Sequence, residues 1–421
     1  LTALVLCVLL SGLCLGENWR QFRGTHRDGK SSESGLLKKW PEGGPKLLWS
    51  VEGKLGIGFS SVVVSCGRIY TTGVTGEDKQ ETLFAYDTKG NFKWKNAYGP
   101  SWTKSYPGTR TTPTVEGDRI YVMSGQGLIV CFDTAGNKKW SVDTAEKFQG
   151  KNIKWGIAES VLIYKDKVIC TPGGTDATMV AFDKMTGETI WTTKGISEKS
   201  AYCSPILFNR NGRDLVVTNV EKSVLIVDPK TGEVVCHIPH EKRHRLAAVS
   251  PVYSNDGIYV TAGYTKEGMP DRGVMFELSA DSKSFTQKWT ERKLDCHHGG
   301  VVLLDGCVHG TDSAIYAPAS RETPKGTWYC LDLATGKIKY QAKLVGKGSV
   351  MYAEGLLYCY GETGKVALVK PGSDGYEMIS SFDVPLGASS KDQYWAHPVI
   401  SDGTLYIRNN DALMAYDINA N

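Results

Sequence analysis

Residues 179–191, MVAFDKMTGETIW, hold the pattern that decides the fold. A short apolar run ends in Asp183, a turn follows with Thr186 and Gly187, and a second short run ends in Trp191. Asp, Thr and Gly belong to turns for separate reasons: the carboxylate accepts from its own turn's backbone, and glycine tolerates positive φ. Read alone, this is one β-hairpin. The same unit recurs as LFAYDTKGNFKW ending at Trp94, LIVCFDTAGNKKW ending at Trp140, VLIVDPKTGEVVC ending at Cys236 and WYCLDLATGKIKY ending at Tyr340. The Asp positions are 87, 133, 183, 228 and 332, with Glu277, Lys370 and Asp417 as weaker members. Their spacing of 38 to 55 residues is the period of propeller blades.

Each hairpin is preceded by another, as in TTPTVEGDRIYVMSG, SPVYSNDGIYVTAG and HPVISDGTLYIRNN. A repeat therefore reads as four strands of four to seven residues. Eight front halves begin near Ser60, Thr111, Glu159, Cys203, Val249, Gly299, Gly348 and Ala396. The last repeat lacks its fourth strand, while a spare strand, KLLWSVE with Trp49, stands near the start. An open ring would leave an unpaired sheet edge. The expectation is an all-β, eight-bladed propeller whose ring is closed by residues 46–52. It forms one domain over 46–421, preceded by an extension over 17–45.

The chain has 421 residues, a formal charge of +4 and 47 glycines. So small a charge points to neither nucleic acid nor an anionic membrane. Residues 1–16, LTALVLCVLLSGLCLG, read as the apolar core and cleavage end of a signal peptide, too short for the roughly 20 residues of a spanning helix. A periplasmic or secreted location is expected, with no membrane span in the mature chain. Nine cysteines follow the leader, most of them in apolar strand patterns, and are expected as free core residues.

The repeated D-x-x-T-G-x-x-x-W, cleanest at Asp183, Thr186, Gly187 and Trp191, resembles the PQQ-like (pyrroloquinoline quinone-type) β-propeller repeat family, as does the opening NWRQFRGTHRDGKSS with WPEGGPKLLW. The likeness is to an exported bacterial branch often labelled quinoprotein or alcohol dehydrogenase-like. The resemblance implies, for the dehydrogenases, PQQ with Ca²⁺, covered by a disulfide between neighbouring cysteines. This chain has no Cys-Cys pair and no C-x-x-C-H haem motif, and its acidic residues match no calcium set. It equally implies non-catalytic scaffolds, such as the propeller lipoprotein of outer-membrane assembly, although no lipobox is present.

Aligned two places before the Ser of Ser-Pro, the eight front halves read Phe59, Arg110, Ala158, Tyr202, Ala248, His298, Lys347 and Trp395. His297, Glu159, Trp155, Tyr394 and His397 stand beside them. Inner strands line a propeller's axis, so these residues are expected to converge on one mouth. Arg110 and Lys347 suit a carboxylate, sulfate or phosphate. Trp155, Tyr202 and Trp395 suit a flat ring, with His397 beside them. His298 or His297 suits a general base, with Glu159 as its acid partner. Strand alternation would let only one of the two histidines face the channel. The three histidines lack an i, i+2 pair, so no metal site is expected. A second basic cluster, HIPHEKRHR (237–245), reads as a solvated loop. The functional expectation is an exported propeller whose mouth or rim takes a small polar or anionic ligand, a carbohydrate or a partner protein, without bound quinone. The alternatives are a quinoprotein alcohol or sugar dehydrogenase and a cofactor-free enzyme acting on acidic carbohydrate.

Overall fold

The computed structural model describes residues 19–240, 246–254, 257–263, 272–314, 323–385 and 393–420. Eight sheets form the ring, each built on four antiparallel strands, and the seventh carries a fifth, parallel strand on its inner edge. The first blade runs Val63–Ser65, Arg68–Thr75, Gln80–Asp87 and Phe92–Pro100. The eighth combines Val399–Ser401, Thr404–Asn409 and Ala412–Asp417 with Lys46–Val51 from the other end of the chain. Ring closure thus uses the strand that the sequence had to spare. The one described helix is a single turn, Thr144–Lys147, and no described helix is long and apolar enough to cross a membrane.

The repeat motif explains how blades join. Asp183 Oδ1 accepts from the backbone N–H groups of Met185 (2.8 Å) and Thr186 (2.9 Å), which holds the turn. Gly187 has a φ of 76°, and a Cβ there would stand 2.8 Å from the Trp140 ring of the preceding blade. The Trp140 indole Nε1–H donates to Lys184 O in the same turn (3.1 Å). Trp49, Trp94, Trp191 and Trp289 donate in the same way to Thr88, Thr134, Pro229 and Leu333. At five blade junctions the motif thus sets a tryptophan of one blade over a glycine of the next blade's turn. Eight cysteines are free and buried.

The extension ahead of the ring is not a loose leader. Trp19 O accepts from Val64 N in blade one (3.0 Å), and Arg20 O accepts from Val115 N in blade two (2.8 Å). Strand Lys30–Ser31 adds in parallel to the inner strand of blade seven, Gly348–Ala353. Leu37 N reaches Ile418 O in blade eight (2.8 Å). Between these anchors the backbone crosses the axis and plugs it. Arg23 and Arg27, 4% and 3% exposed, bury their guanidinium groups in the channel. Arg23 donates to Val301 O (2.6 Å) and Asp28 O (3.1 Å). Arg27 donates to Ser160 O (2.9 Å), Pro205 O (3.1 Å) and Val161 O. Carbonyls at the entries of the inner strands, which a water-filled channel would leave to solvent, are thereby paired. Desolvation holds both guanidinium groups down to about 10.

Candidate functional site

A cavity of about 490 Å³ opens where the inner strands begin. All eight aligned positions line it: Phe59, Arg110, Ala158, Tyr202, Ala248, His298, Lys347 and Trp395. His297, Trp155 and His397 join them. The strands themselves start later, at residues such as Val63, Thr114 and Val302. The lining positions are thus the irregular leads into the inner strands, and they share one depth because the repeat keeps them a constant distance from the Ser-Pro position. Phe22 of the plug also lines this cavity, its ring centroid 5.0 Å from that of His397. Arg23, Arg27 and Lys30 instead line a second cavity of about 160 Å³, with Phe208, Tyr253 and Leu303. The plug separates the two.

Three expectations about the mouth need correction. His297 and His298 both line it, because they precede strand Val302–Leu304 and no strand alternation applies to them. Their Nδ1 atoms lie 3.2 Å apart. Glu159 does not reach the mouth. One residue beyond Ala158, its side chain turns into the blade, 1% exposed, where both carboxylate oxygens accept from Thr171 N at 3.1 Å. Burial raises it to about 8. It has no line to the imidazoles as an acid partner. Tyr394 is likewise buried, with its ring against Tyr360 (6.1 Å). In the 237–245 cluster, residues 241–245 lie outside the described residues. His237 is exposed and contacts Glu198 (3.1 Å).

The polar groups of the mouth are largely spoken for. Arg110 donates to the carbonyls of Tyr106 (2.6 Å), Gly108 (2.7 Å) and Ser105 (2.9 Å), which folds its guanidinium back onto its own loop. Lys347 is ion-paired with Glu362, and burial lowers its ammonium to about 8. Glu362 had no place in the sequence expectation. The signal was available, because the pairing of Gly348 with Gly361 sets 362 opposite 347 in the inner hairpin. His397 accepts at Nδ1 from Arg23 Nη1–H (3.2 Å), since a guanidinium only donates. Its Nε2 then carries the hydrogen and donates to His298 O (2.9 Å). Desolvation and the nearby Arg23 charge hold His397 down to about 3, and burial with Lys347 does the same for His297. His298 is pushed well below the usual imidazole value, by burial first and then by His297. All three imidazoles are neutral at physiological pH. His298 Nε2 is buried and has no hydrogen-bond partner among the described residues.

Aromatic rings make the walls. Trp395 meets Phe59 at 4.9 Å, Tyr106 at 5.2 Å and His298 at 5.6 Å between centroids. Across the mouth Trp155 meets Tyr202 at 5.7 Å, and Lys154 Nζ lies 4.6 Å from the Trp155 centroid. Tyr106, Lys154 and Phe22 lie outside the aligned positions, so the repeat gave no signal for them. The arrangement can stack a ring and hydrogen-bond its edge. It does not fit Ca²⁺ with a quinone. Calcium takes about 6–8 oxygen ligands, several from carboxylates. Glu362 is the one carboxylate among the described lining residues, and Lys347 occupies it.

Comparison with known proteins agrees with the architecture. The family model described as outer membrane protein assembly factor BamB matches residues 41–144 and 79–342. An outer membrane protein assembly factor BamB from Kangiella koreensis is 24% identical over 213 residues; the match spans 49% of this chain and 49% of that protein, about half of each. The crystal structure of BamB from Moraxella catarrhalis superposes with a TM-score of 0.60 at 12% identity, covering 89% of this chain and 98% of that one. The quinohemoprotein alcohol dehydrogenase of Comamonas testosteroni gives 0.70 at 13% identity, covering 96% and 81%. At such identities the structural likenesses show the fold alone.

Proposed function

This chain belongs to the PQQ-type β-propeller repeat family, and we propose that it is an exported binding propeller whose axial mouth receives a small polar ligand or a side chain of a partner protein. The observation that carries this reading is the convergence of eight equivalent repeat positions on one aromatic-walled cavity, with a buried polar atom, His298 Nε2, left unpaired in its wall. Pockets of about 300–1,000 Å³ with a few placed polar groups are the usual form of small-molecule sites. A partner protein is supported by the relatives named as assembly factors. The apolar stretch 1–16 supports a periplasmic or secreted location. The reading requires no bound quinone, in keeping with the poor fit of the mouth to calcium.

A melting-temperature screen of small molecules, repeated on Trp395→Ala and His298→Ala, tests it. A ligand that stabilises the native protein should lose most of its effect in both variants. Undiminished stabilisation in both would place the site elsewhere.

A further inference from the structure

Resting on the mouth as a binding site, we propose that its ligand class is an uncharged, hydroxyl-bearing ring, a neutral sugar, seated against Trp395 and read at its edge by His298 Nε2 and the Lys347–Glu362 pair.

The first argument is charge. Beside Trp395 an anion finds no available cation, because Arg110 gives three N–H groups to carbonyls of its own loop and Lys347 is already paired. Lys154, over Trp155 on the far wall, is the lining cation without an ion pair among the described residues. An incoming carboxylate would also face Glu362 beside Lys347. A cation would meet Arg110, Lys347 and the exposed Lys154. Against Trp395 either charge must be desolvated beside groups that already have partners, which costs more than it returns. A neutral ring pays no such cost.

The second argument is hydrogen-bond chemistry. In the His297–His298 contact one Nδ1 donates and the other accepts. Whichever way that settles, His298 Nε2 is left as the opposite kind, and it is unpartnered in the wall. A hydroxyl can donate or accept, so it satisfies the atom in either tautomer. A carboxylate satisfies only one. The Lys347–Glu362 pair likewise sets donors and acceptors side by side, and adjacent hydroxyls can meet both at once.

The third argument is shape. Trp395 packs against Phe59 and Tyr106 and also against His298, so its indole borders both apolar rings and a polar one. A sugar ring has the matching division, with C–H faces and a hydroxyl edge. Its faces pack on aromatic rings while its edge hydrogen-bonds.

The test titrates purified protein with glucose, galactose, mannose, maltose and cellobiose. Glucuronate, galacturonate, inorganic phosphate and adenine serve as comparison ligands. Tryptophan fluorescence and melting temperature are the readouts. At least one neutral sugar should saturate, with its uronic acid about 10-fold weaker or more. Trp395→Ala should abolish that binding, and His298→Ala should weaken it about 5- to 10-fold. His298→Gln, which keeps a polar atom at similar reach, should recover most of the loss. Variant melting temperatures without sugar verify that each protein is folded. Tighter binding of uronates, phosphate or adenine, reduced by Trp395→Ala, overturns the neutral ring and leaves the mouth as a site. Sugar binding that ignores both variants overturns both readings.

Discussion

One position of the repeat, the Ser of Ser-Pro, is solved differently on two sides of the ring. In blades one to four it is Ser61, Thr112, Ser160 and Ser204, and hydroxyls tie neighbours together. Ser61 N–H donates to Thr112 Oγ1 (3.1 Å), Thr112 N–H to Ser160 Oγ (2.9 Å), and Ser160 N–H to Ser204 Oγ (2.9 Å). In blades six and eight the same position is Gly300 and His397. There Arg23 enters from the plug: its Nη1 would stand 2.0 Å from a Cβ on Gly300 and hydrogen-bonds His397 Nδ1. The plug reaches both arcs, Arg27 at the Ser160, Val161 and Pro205 carbonyls and Arg23 at Gly300 and His397, but only in the second does the repeat position itself change to admit it. The repeat's own carbonyls can hold a guest such as Arg27, but the Arg23 guanidinium fits only where the hydroxyl position has become glycine.

The strongest way to break this comparison is Arg23→Ala. It removes a buried guanidinium and leaves Val301 O and His397 Nδ1 without a donor, for an expected loss of about 3–5 kcal/mol in denaturant unfolding. A loss near zero would mean that the plug is ornamental. Gly300→Ala comes next, at about 2–3 kcal/mol, because φ is 67° and the new methyl meets Arg23. Combined with Arg23→Ala it should cost less than the sum of the two, since the clash disappears with the arginine. Strict additivity would break the link between the two residues. Ser204→Ala, in the other arc, removes one hydroxyl acceptor and should cost about 1 kcal/mol by the same assay. It should be additive with Arg23→Ala.

The smallest effect at neutral pH is that of the mouth histidines, and it grows only on acidification. Unfolded, His297 and His397 take up protons near 6.5; folded, they do so only at about 3. Between these values the unfolded state binds more protons, so stability is full above about 6.5 and falls as pH drops toward 3. Melting curves across that window should show the decline. His297→Gln should shallow it without changing stability at pH 7.

The blades and the mouth were legible in the sequence for one reason: both are periodic. Asp183, Gly187 and Trp191 act within a hairpin and on the adjacent blade, and eight leads at a constant offset from Ser-Pro had to meet around one axis. Glu362 was legible in principle through strand pairing. Glu159 misled because an irregular lead fixes no direction for the residue beside an aligned one, and the His297–His298 pair misled because alternation was applied where no strand exists.

His297, His298, Gly299 and Gly300 show the division most clearly. By itself, the sequence determined that this stretch heads an inner strand of an eight-bladed ring, because local spacing and turn chemistry repeat along the chain. Only the tertiary structure decided why glycine follows histidine there. Gly299 lies against the Gly348 carbonyl of the next blade, and Gly300 makes room for an arginine 277 residues earlier in the chain. Contacts that occur once, between segments far apart in sequence, leave no period to read. They exist only when the closed ring brings a plug, a gap and an imidazole to the same axis.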